Sequence, residues 1–149
     1  MVAIKLSTKT RYGLRALLYM ARAYDGESTI PVGEIAREQG VSEKYLEQLF
    51  LRLRRSGLIR SVRGAQGGYM LCNPPEDVTV AEVVDSLEGD ITFADCLTSE
   101  GCANRDTCPT HELWSRLKGS IDDILEDTTL ADLIRSESDG PEEERHPGG

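Results

Sequence analysis

The stretch that most constrains the fold is residues 31–57, which read PVGEIAREQGVSEKYLEQLFLRLRRSG. Its first part, residues 31–40, has a proline near the start and a glycine at the end, which is typical of a short helix. In its second part, residues 41–57, Ser42 is placed to cap a helix and Gly57 to end it. Along that second helix, apolar side chains recur at helical spacing, at Tyr45, Leu46, Leu49, Phe50 and Leu53. Two helices joined by so tight a turn, the second with polar and basic residues on its other face, predict a helix-turn-helix.

A β-hairpin is predicted directly after the second helix, over residues 58–72, LIRSVRGAQGGYMLC. LIRSV and YMLC have the apolar character of short strands, and RGAQGG between them is a glycine-rich turn. A basic hairpin in this position is the wing of a winged helix-turn-helix. Residues 7–24 add an N-terminal amphipathic helix. The sequence therefore predicts a mainly α-helical fold with a small β-hairpin, and a winged helix-turn-helix DNA-binding domain over residues 1–78.

Residues 79–135 are predicted to form a second unit of helices around a cysteine-rich loop. Thr79 begins an amphipathic helix over 79–89, the loop occupies roughly 90–108, and a long helix follows over 109–127. One side of that long helix is apolar, with Leu113, Trp114, Leu117, Ile121, Ile124 and Leu125. TTLADLIR then forms a short last helix. Residues 136–149 are charged, rich in glycine and proline and without apolar side chains, so a disordered acidic tail is expected.

Charge is distributed very unevenly along the chain. The formal net charge is −9, yet residues 1–70 carry 12 Lys and Arg against 6 Asp and Glu. Residues 71–149 carry 5 Lys and Arg against 20 Asp and Glu. This asymmetry predicts that the basic first half meets a polyanion and that the acidic second half does not.

Several classes of protein are disfavoured by the same sequence. No apolar run approaches the roughly 18 residues that cross a bilayer, and no signal-peptide pattern is present at the N-terminus. A cytoplasmic protein with no membrane partner is therefore expected. The chain has no nucleophile–base constellation, no phosphate loop and only two histidines, so an enzyme is not expected.

Candidate DNA-binding residues lie on the second helix and in the hairpin. Arginines cluster around the end of that helix and the wing, where phosphates would lie, at Arg52, Arg54, Arg55, Arg60 and Arg63. Near the start of the helix, Lys44, Glu47 and Gln48 can hydrogen-bond base edges. Arg63 at the tip of the wing suits insertion into a narrow minor groove. For Glu47 two interpretations stay open, base selection in the groove or pairing with Lys44 or Arg54 along the helix.

Three cysteines recur at equal spacing, at Cys96, Cys102 and Cys108, and His111 follows. Disulfides are disfavoured by the expected compartment and leave one thiol over. A metal is favoured, because three thiolates and one imidazole complete a set of four ligands. Five-residue gaps are wider than structural zinc prefers, which favours an iron–sulfur cluster without excluding zinc. Cys72 is expected to be a small buried core residue.

Three stretches together resemble the Rrf-type winged-helix transcription regulators, and within them the branch that binds iron–sulfur clusters. They are STKTRYGLRALLYMA, VSEKYLEQLFLRLRRSGLIRSVRGAQGGY and the C-x5-C-x5-C-x2-H spacing, over residues 4 to about 134. The resemblance implies a homodimer, with the apolar side of the long helix as its interface. It also implies a [2Fe–2S] cluster whose ligands are Cys96, Cys102, Cys108 and His111.

For DNA, the resemblance implies contacts from Lys44, Tyr45, Glu47 and Gln48 on the recognition helix and a minor-groove contact from Arg63. Two departures from the family pattern are visible. The wing reads RGAQGG where the family typically has RGPGGG, and Lys44 occupies a position where a smaller hydroxyl residue is familiar. These departures affect the wing shape and the operator sequence respectively.

The function expected is that of a cluster-sensing regulator bound to double-stranded operator DNA, controlling genes such as those for iron–sulfur cluster biogenesis and served by the assembly machinery. Three alternatives stay open. One is a nitric-oxide or redox sensor of the same family with a [4Fe–4S] cluster, against which the chain has no Asp or Glu before Asp25. The others are a zinc- or thiol-dependent regulator and an iron–sulfur carrier that binds no DNA.

Overall fold

The computed structural model describes residues 7–65, 67–88 and 109–139. The first three helices are α1 (Thr8–Arg22), α2 (Val32–Gln39) and α3 (Glu43–Arg55). The hairpin strands β1 (Ile59–Val62) and β2 (Gly68–Leu71) follow, and then a 3-10 turn at Pro75–Asp77. The last three helices are α4 (Val80–Leu87), α5 (His111–Asp127) and α6 (Leu130–Asp139). This arrangement confirms the predicted mainly α-helical fold with one small hairpin.

Hydroxyl side chains cap four of the helices, including α6, where Thr129 Oγ1 accepts from the Asp132 N–H. Ser42 Oγ accepts from the Tyr45 N–H at the start of α3, and Thr79 Oγ1 accepts from the Glu82 N–H at the start of α4, as their positions in the sequence predict. Ser7 does the same for α1. Gly40 ends α2 with a φ of +70°, a conformation that side-chain-bearing residues rarely adopt. The tight turn between α2 and α3 therefore depends on this glycine.

The core lies where the first three helices meet the hairpin and α4. Phe50, Leu46 and Leu53 of α3 are fully buried together with Leu17 of α1 and Ile35 of α2. The apolar stripe predicted for α3 is thus confirmed, with Tyr45 half-buried at its margin.

The core does not stop at residue 78. Val83 and Leu87 of α4 and Leu130 of α6 belong to the same hydrophobic cluster as the first three helices. The boundary proposed at residues 78/79 is therefore not marked by a break in packing, and the functional division there stays a prediction.

The wing is joined to the helices by a third extended segment. β1 pairs antiparallel with β2, from Ile59 opposite Leu71 to Val62 opposite Gly68. On its other side β2 bonds to Ile30, with 2.9 Å from the Tyr69 N–H to the Ile30 carbonyl and 2.9 Å for the reciprocal bond. A Cβ at Gly68 would lie 2.3 Å from the Ile30 carbonyl oxygen. The close approach of the wing to the segment before α2 therefore requires glycine.

The last helix extends further than the sequence predicts. α6 runs to Asp139, into the segment from residue 136 for which disorder is expected. One contact fixes the start of the helix, and a second lies within the extension. Leu130 is fully buried with its N–H bonded to the Val78 carbonyl at 2.9 Å, and Arg22 of α1 forms an ion pair with Glu137. The rest of the expected tail, residues 140–149, lies outside the described residues.

α5 differs from the other helices because it has no buried residue. Its apolar side chains divide into two neighbouring faces. Trp114, Ile121 and Leu125 are half-buried. Leu113, Leu117 and Ile124 are 49%, 39% and 63% exposed. No helix in the described part of the chain is long and apolar enough to cross a membrane.

Candidate functional site

The outer face of α3 presents Lys44, Glu47 and Gln48, all exposed, at helical spacing. Leu51, 44% exposed, continues the same face by one more turn. The face is possible because α3 buries Leu46, Phe50 and Leu53 on its other side, which leaves its polar side chains to solvent. A helix of this kind, capped and rigidly packed, can be inserted into the major groove with its polar side chains toward base edges.

Tyr45 lies at the margin of this face. Its ring packs edge-to-face on Tyr12 of α1, with ring centroids 6.3 Å apart. The contact fixes the position of Tyr45 beside Lys44 and Gln48, where the predicted DNA contact requires it.

Glu47 has no partner along the helix. In the described ranges the ion pairs are Arg22–Glu137, Lys118–Asp122 and Arg135–Asp132, so pairing of Glu47 with Lys44 or Arg54 is not seen. A carboxylate on a face that meets a polyanion lowers affinity in general, and base selection by Glu47 stays a prediction.

Arg52, which is exposed, makes a contact within the chain that the sequence did not predict. Its Nη1 donates to the main-chain carbonyl of Leu87, the last residue of α4, at 3.3 Å. The side chain expected at a phosphate thus reaches back to a helix of the second half of the chain. Sequence reasoning could not find this bond, because the partners are 35 residues apart and the acceptor is a backbone atom.

The wing carries two exposed arginines, Arg60 on β1 and Arg63 just beyond its end. Gly64 follows with a φ of +122°, so the chain turns sharply directly after Arg63. Arg63 therefore lies at the tip of the hairpin, as predicted. Of the two wing departures, Ala65 is exposed and residue 66 lies outside the described part.

The chain also has a polar cluster that the sequence did not reveal. The Glu88 carboxylate, one residue past α4, accepts from the Ser7 N–H at 3.1 Å, from Ser7 Oγ at 2.7 Å and from Thr10 Oγ1. The Thr10 hydroxyl first, and next that of Ser7, hold the pKa of the Glu88 carboxyl below its ordinary value. These partners are about eighty residues apart, and no local signal marks them.

Of the four predicted metal ligands, the structure describes one. Cys96, Cys102 and Cys108 lie outside the described residues. His111 is the first residue of α5, and its Nδ1 is buried without a hydrogen-bond partner among the residues that the structure describes. Its Nε2 lies 3.4 Å from Ser115 Oγ. A buried ring nitrogen left without a partner is unfavourable unless another group, such as a metal ion, satisfies it.

The prediction that Cys72 is a buried core residue is wrong. It is an exposed free thiol and not a core residue. It directly follows β2, which ends at the buried Leu71, and its side chain lies at the surface. Within residues 7–65, 67–88 and 109–139, no three His, Cys, Asp or Glu side chains are grouped as a metal site would require.

Comparison with known proteins shows which family this chain resembles. The family profile of Rrf2, described as an iron-dependent transcriptional regulator, matches residues 6–136. The HTH-type transcriptional regulator IscR of Erwinia tasmaniensis is 38% identical over 134 residues, which are 90% of this chain and 81% of that protein.

Solved structures with a similar fold are also transcription regulators. The structure of IscR from T. potens has a TM-score of 0.73 and 37% identity, over 98% of this chain and 95% of that one. CymR, the global cysteine regulator of B. subtilis, has a TM-score of 0.74 and 39% identity, over 89% and 98%. These relatives are transcription regulators and not enzymes, as the sequence predicts. With the winged helix-turn-helix and its exposed recognition face in place, the chain belongs to the Rrf2 family of DNA-binding transcription regulators.

Proposed function

We propose that this regulator is a homodimer that binds a [2Fe–2S] cluster through Cys96, Cys102, Cys108 and His111, and that cluster occupancy changes which DNA it reads. The observation that carries the proposal is the buried Nδ1 of His111, the predicted fourth ligand, which has no hydrogen-bond partner within residues 7–65, 67–88 and 109–139. The description of the family as iron-dependent and the IscR relatives support the same assignment.

The donor set fits such a cluster chemically. Three thiolates and one imidazole satisfy two tetrahedral irons, and replacing thiolates by imidazole raises the reduction potential of such centres. His111 sits at the N-terminus of α5, and its Nε2 is within reach of the Ser115 hydroxyl. That contact favours Nδ1 as the nitrogen free for a metal.

The DNA side of the proposal rests on the recognition face and the wing. Lys44, Glu47 and Gln48 would read base edges in the major groove, with Tyr45 beside them, while Arg63 would enter the adjacent minor groove. A dimer of such units binds two half-sites about 34 Å apart or at multiples of that distance, so a quasi-palindromic operator is expected.

Dimerisation is proposed through α5. Three large apolar side chains, Leu113, Leu117 and Ile124, form one exposed strip on a helix whose neighbouring apolar face is already half-buried. A second copy of the chain supplies a matching strip through twofold symmetry, which is the commonest arrangement in soluble oligomers. The half-buried Trp114, Ile121 and Leu125 would flank this interface.

The test is anaerobic purification followed by visible absorption and by iron, sulfide and zinc analysis of wild type, His111→Ala and His146→Ala. His146 is the other histidine of the chain and serves as the matched control. The expected result is a coloured protein with about two irons and two sulfides per chain. Its spectrum or stability should change in His111→Ala and stay unchanged in His146→Ala. About four irons per chain would overturn the [2Fe–2S] assignment in favour of a [4Fe–4S] cluster.

A second candidate is a thiol- or zinc-dependent regulator with the same DNA-binding half. The similarity to CymR, named a global cysteine regulator, and the exposed thiol of Cys72 favour it over a [4Fe–4S] sensor and over an iron–sulfur carrier. Colourless protein that holds stoichiometric zinc and no sulfide after strictly anaerobic isolation would support this candidate and contradict the cluster.

A further inference from the structure

The C-terminal end of α4 is held by two other helices. The Leu87 carbonyl accepts from Arg52 of α3. The Leu87 side chain, 1% exposed, lies so close to α1 that a Cβ on Gly13 would be 2.3 Å from its Cδ1. One residue further on, the Glu88 carboxylate is bonded to Ser7 and Thr10 at the start of α1. The end of α4, at Leu87 and Glu88, is therefore in contact with both α1 and α3.

The bond from Arg52 suits the electrostatics of the helix end. The last carbonyls of a helix have no partner within it and carry the negative end of the helix dipole. A guanidinium there satisfies an acceptor and complements that charge. Since Arg52 belongs to α3, the same bond fixes the recognition helix relative to α4.

The hydrogen bonds of Glu88 similarly fix the position of α1 relative to α4. Its carboxylate lies at the N-terminus of that helix, where negative charge is favourable, and accepts from a side chain, Thr10, that is only 1% exposed. Hydroxyl donors favour the charged form of the carboxyl, in agreement with its lowered pKa. Arg52 and Glu88 thus each bond to a neighbouring helix, Arg52 to the end of α4 and Glu88 to the start of α1.

We infer that Arg52 serves DNA recognition as a positioning residue and not as a phosphate contact, and that with Glu88 it links α3 and α1 to the cysteine-bearing segment. That segment begins directly after Glu88 and leads to Cys96. A change in the backbone at the end of α4 then shifts the recognition helix through Arg52 and the start of α1 through Glu88. The link to the cysteines rests on the proposed cluster; the role of Arg52 in positioning α3 does not.

The first arm of the test measures DNA affinity against salt for wild type, Arg52→Gln and Arg63→Gln, on a site selected by wild type from a random pool. Each phosphate contact contributes about 0.9 to the slope of log affinity against log salt. Arg52→Gln is expected to bind about 3- to 10-fold more weakly with an unchanged slope. Arg63→Gln, the control at the predicted wing contact, is expected to lower the slope by about 1. A slope lowered by about 1 in Arg52→Gln would overturn the inference.

The second arm compares cluster-loaded and cluster-free protein. In Arg52→Gln and Thr10→Val, the ratio of the two affinities is expected to fall to about a third of the wild-type ratio or less. In Arg63→Gln it should keep the wild-type value. Thr10→Val conserves shape, removes one donor to Glu88 and keeps the test valid if Arg52→Gln does not fold. A full wild-type ratio in both variants, with iron content unchanged, would refute the link.

Failure of the proposed function is recognised separately. If wild type itself binds no iron, or binds DNA equally in both states, the cluster proposal fails, and the salt slope still decides whether Arg52 positions α3. Thermal unfolding of each variant confirms that it is folded under the conditions of the binding measurements.

Discussion

Helices α3 and α5 have the same kind of sequence, an apolar stripe on an otherwise charged helix, but only one of the stripes is covered. In α3, Leu46, Phe50 and Leu53 are fully buried by the chain's own helices and wing. In α5 nothing is buried, and Ile124 is 63% exposed. The difference is that the core around α3 is completed by the chain's own helices and wing, whereas α5 keeps an exposed apolar strip, which is the surface proposed above as a dimer interface.

The largest expected effect is on stability, and it distinguishes the buried apolar stripe of α3 from the exposed one of α5. Phe50→Ala should lower the free energy of unfolding by about 3–5 kcal/mol, because it leaves a cavity and removes the ring that contacts Tyr69 with centroids 4.8 Å apart. Ile124→Ala should change the stability of the dissociated chain by less than about 1 kcal/mol. Urea unfolding at low protein concentration measures both, and equal losses would contradict the comparison.

A charge placed on the open stripe should weaken the dimer. Leu117→Glu is expected to raise the dimer dissociation constant at least about 30-fold, corresponding to about 2 kcal/mol at the centre of an interface. Gly119→Glu on the other side of α5, where a new Cβ meets nothing within 4 Å, is the matched control. Sedimentation equilibrium measures the constant. Wild type that stays monomeric at tens of micromolar would refute dimerisation through this face.

Substitutions at two glycines compare a tightly packed position with an open one. Gly68→Ala should destabilise the fold by about 1–3 kcal/mol, because its Cβ would collide with the Ile30 backbone and break the pairing of the wing. Gly119→Ala in the exposed helix should instead stabilise it by up to about 1 kcal/mol through helix propensity. Thermal unfolding of the two variants should shift in opposite directions, and an unchanged or raised unfolding temperature for Gly68→Ala would show that the wing tolerates separation from Ile30.

The smallest expected effect is on the pH dependence of stability, and it arises at Glu88, which bonds to Ser7 and Thr10. The folded pKa of Glu88 lies below its ordinary value of 4.5, so its bonds contribute stability that is fully present above about pH 4.5. That contribution is lost as the pH falls through the folded pKa. Between about pH 6 and pH 3 the unfolding free energy of wild type should therefore fall more steeply than that of Glu88→Gln. Glu47→Gln, which removes an unpaired carboxylate, is the control, and parallel curves for Glu88→Gln and wild type would contradict the effect.

Much of the fold could be predicted because its signals are local. The cap at Ser42, the apolar spacing of α3 and the glycine turn of the wing each act over a few residues, and the elements they specify are present. The bond from Arg52 to Leu87 and those from Ser7 and Thr10 to Glu88 join residues 35, 81 and 78 positions apart, and only the folded chain brings them together. Composition misled at residues 136–139, where charged residues continue α6 because Arg22 lies opposite Glu137. The cysteine ligands stay a prediction from spacing and resemblance.

The pairing of Tyr69 with Ile30 has a consequence for how DNA shape is measured. Two main-chain bonds on one side and the β1 ladder on the other leave the wing no hinge relative to the segment that leads into α2. The recognition helix and Arg63 at the wing tip are therefore held at a fixed separation. If they contact DNA as proposed, a duplex whose major and minor grooves are spaced to match this separation would be bound by both. A duplex whose minor groove is displaced or widened would lose the Arg63 contact, so groove geometry would be sensed even at base pairs that no side chain touches.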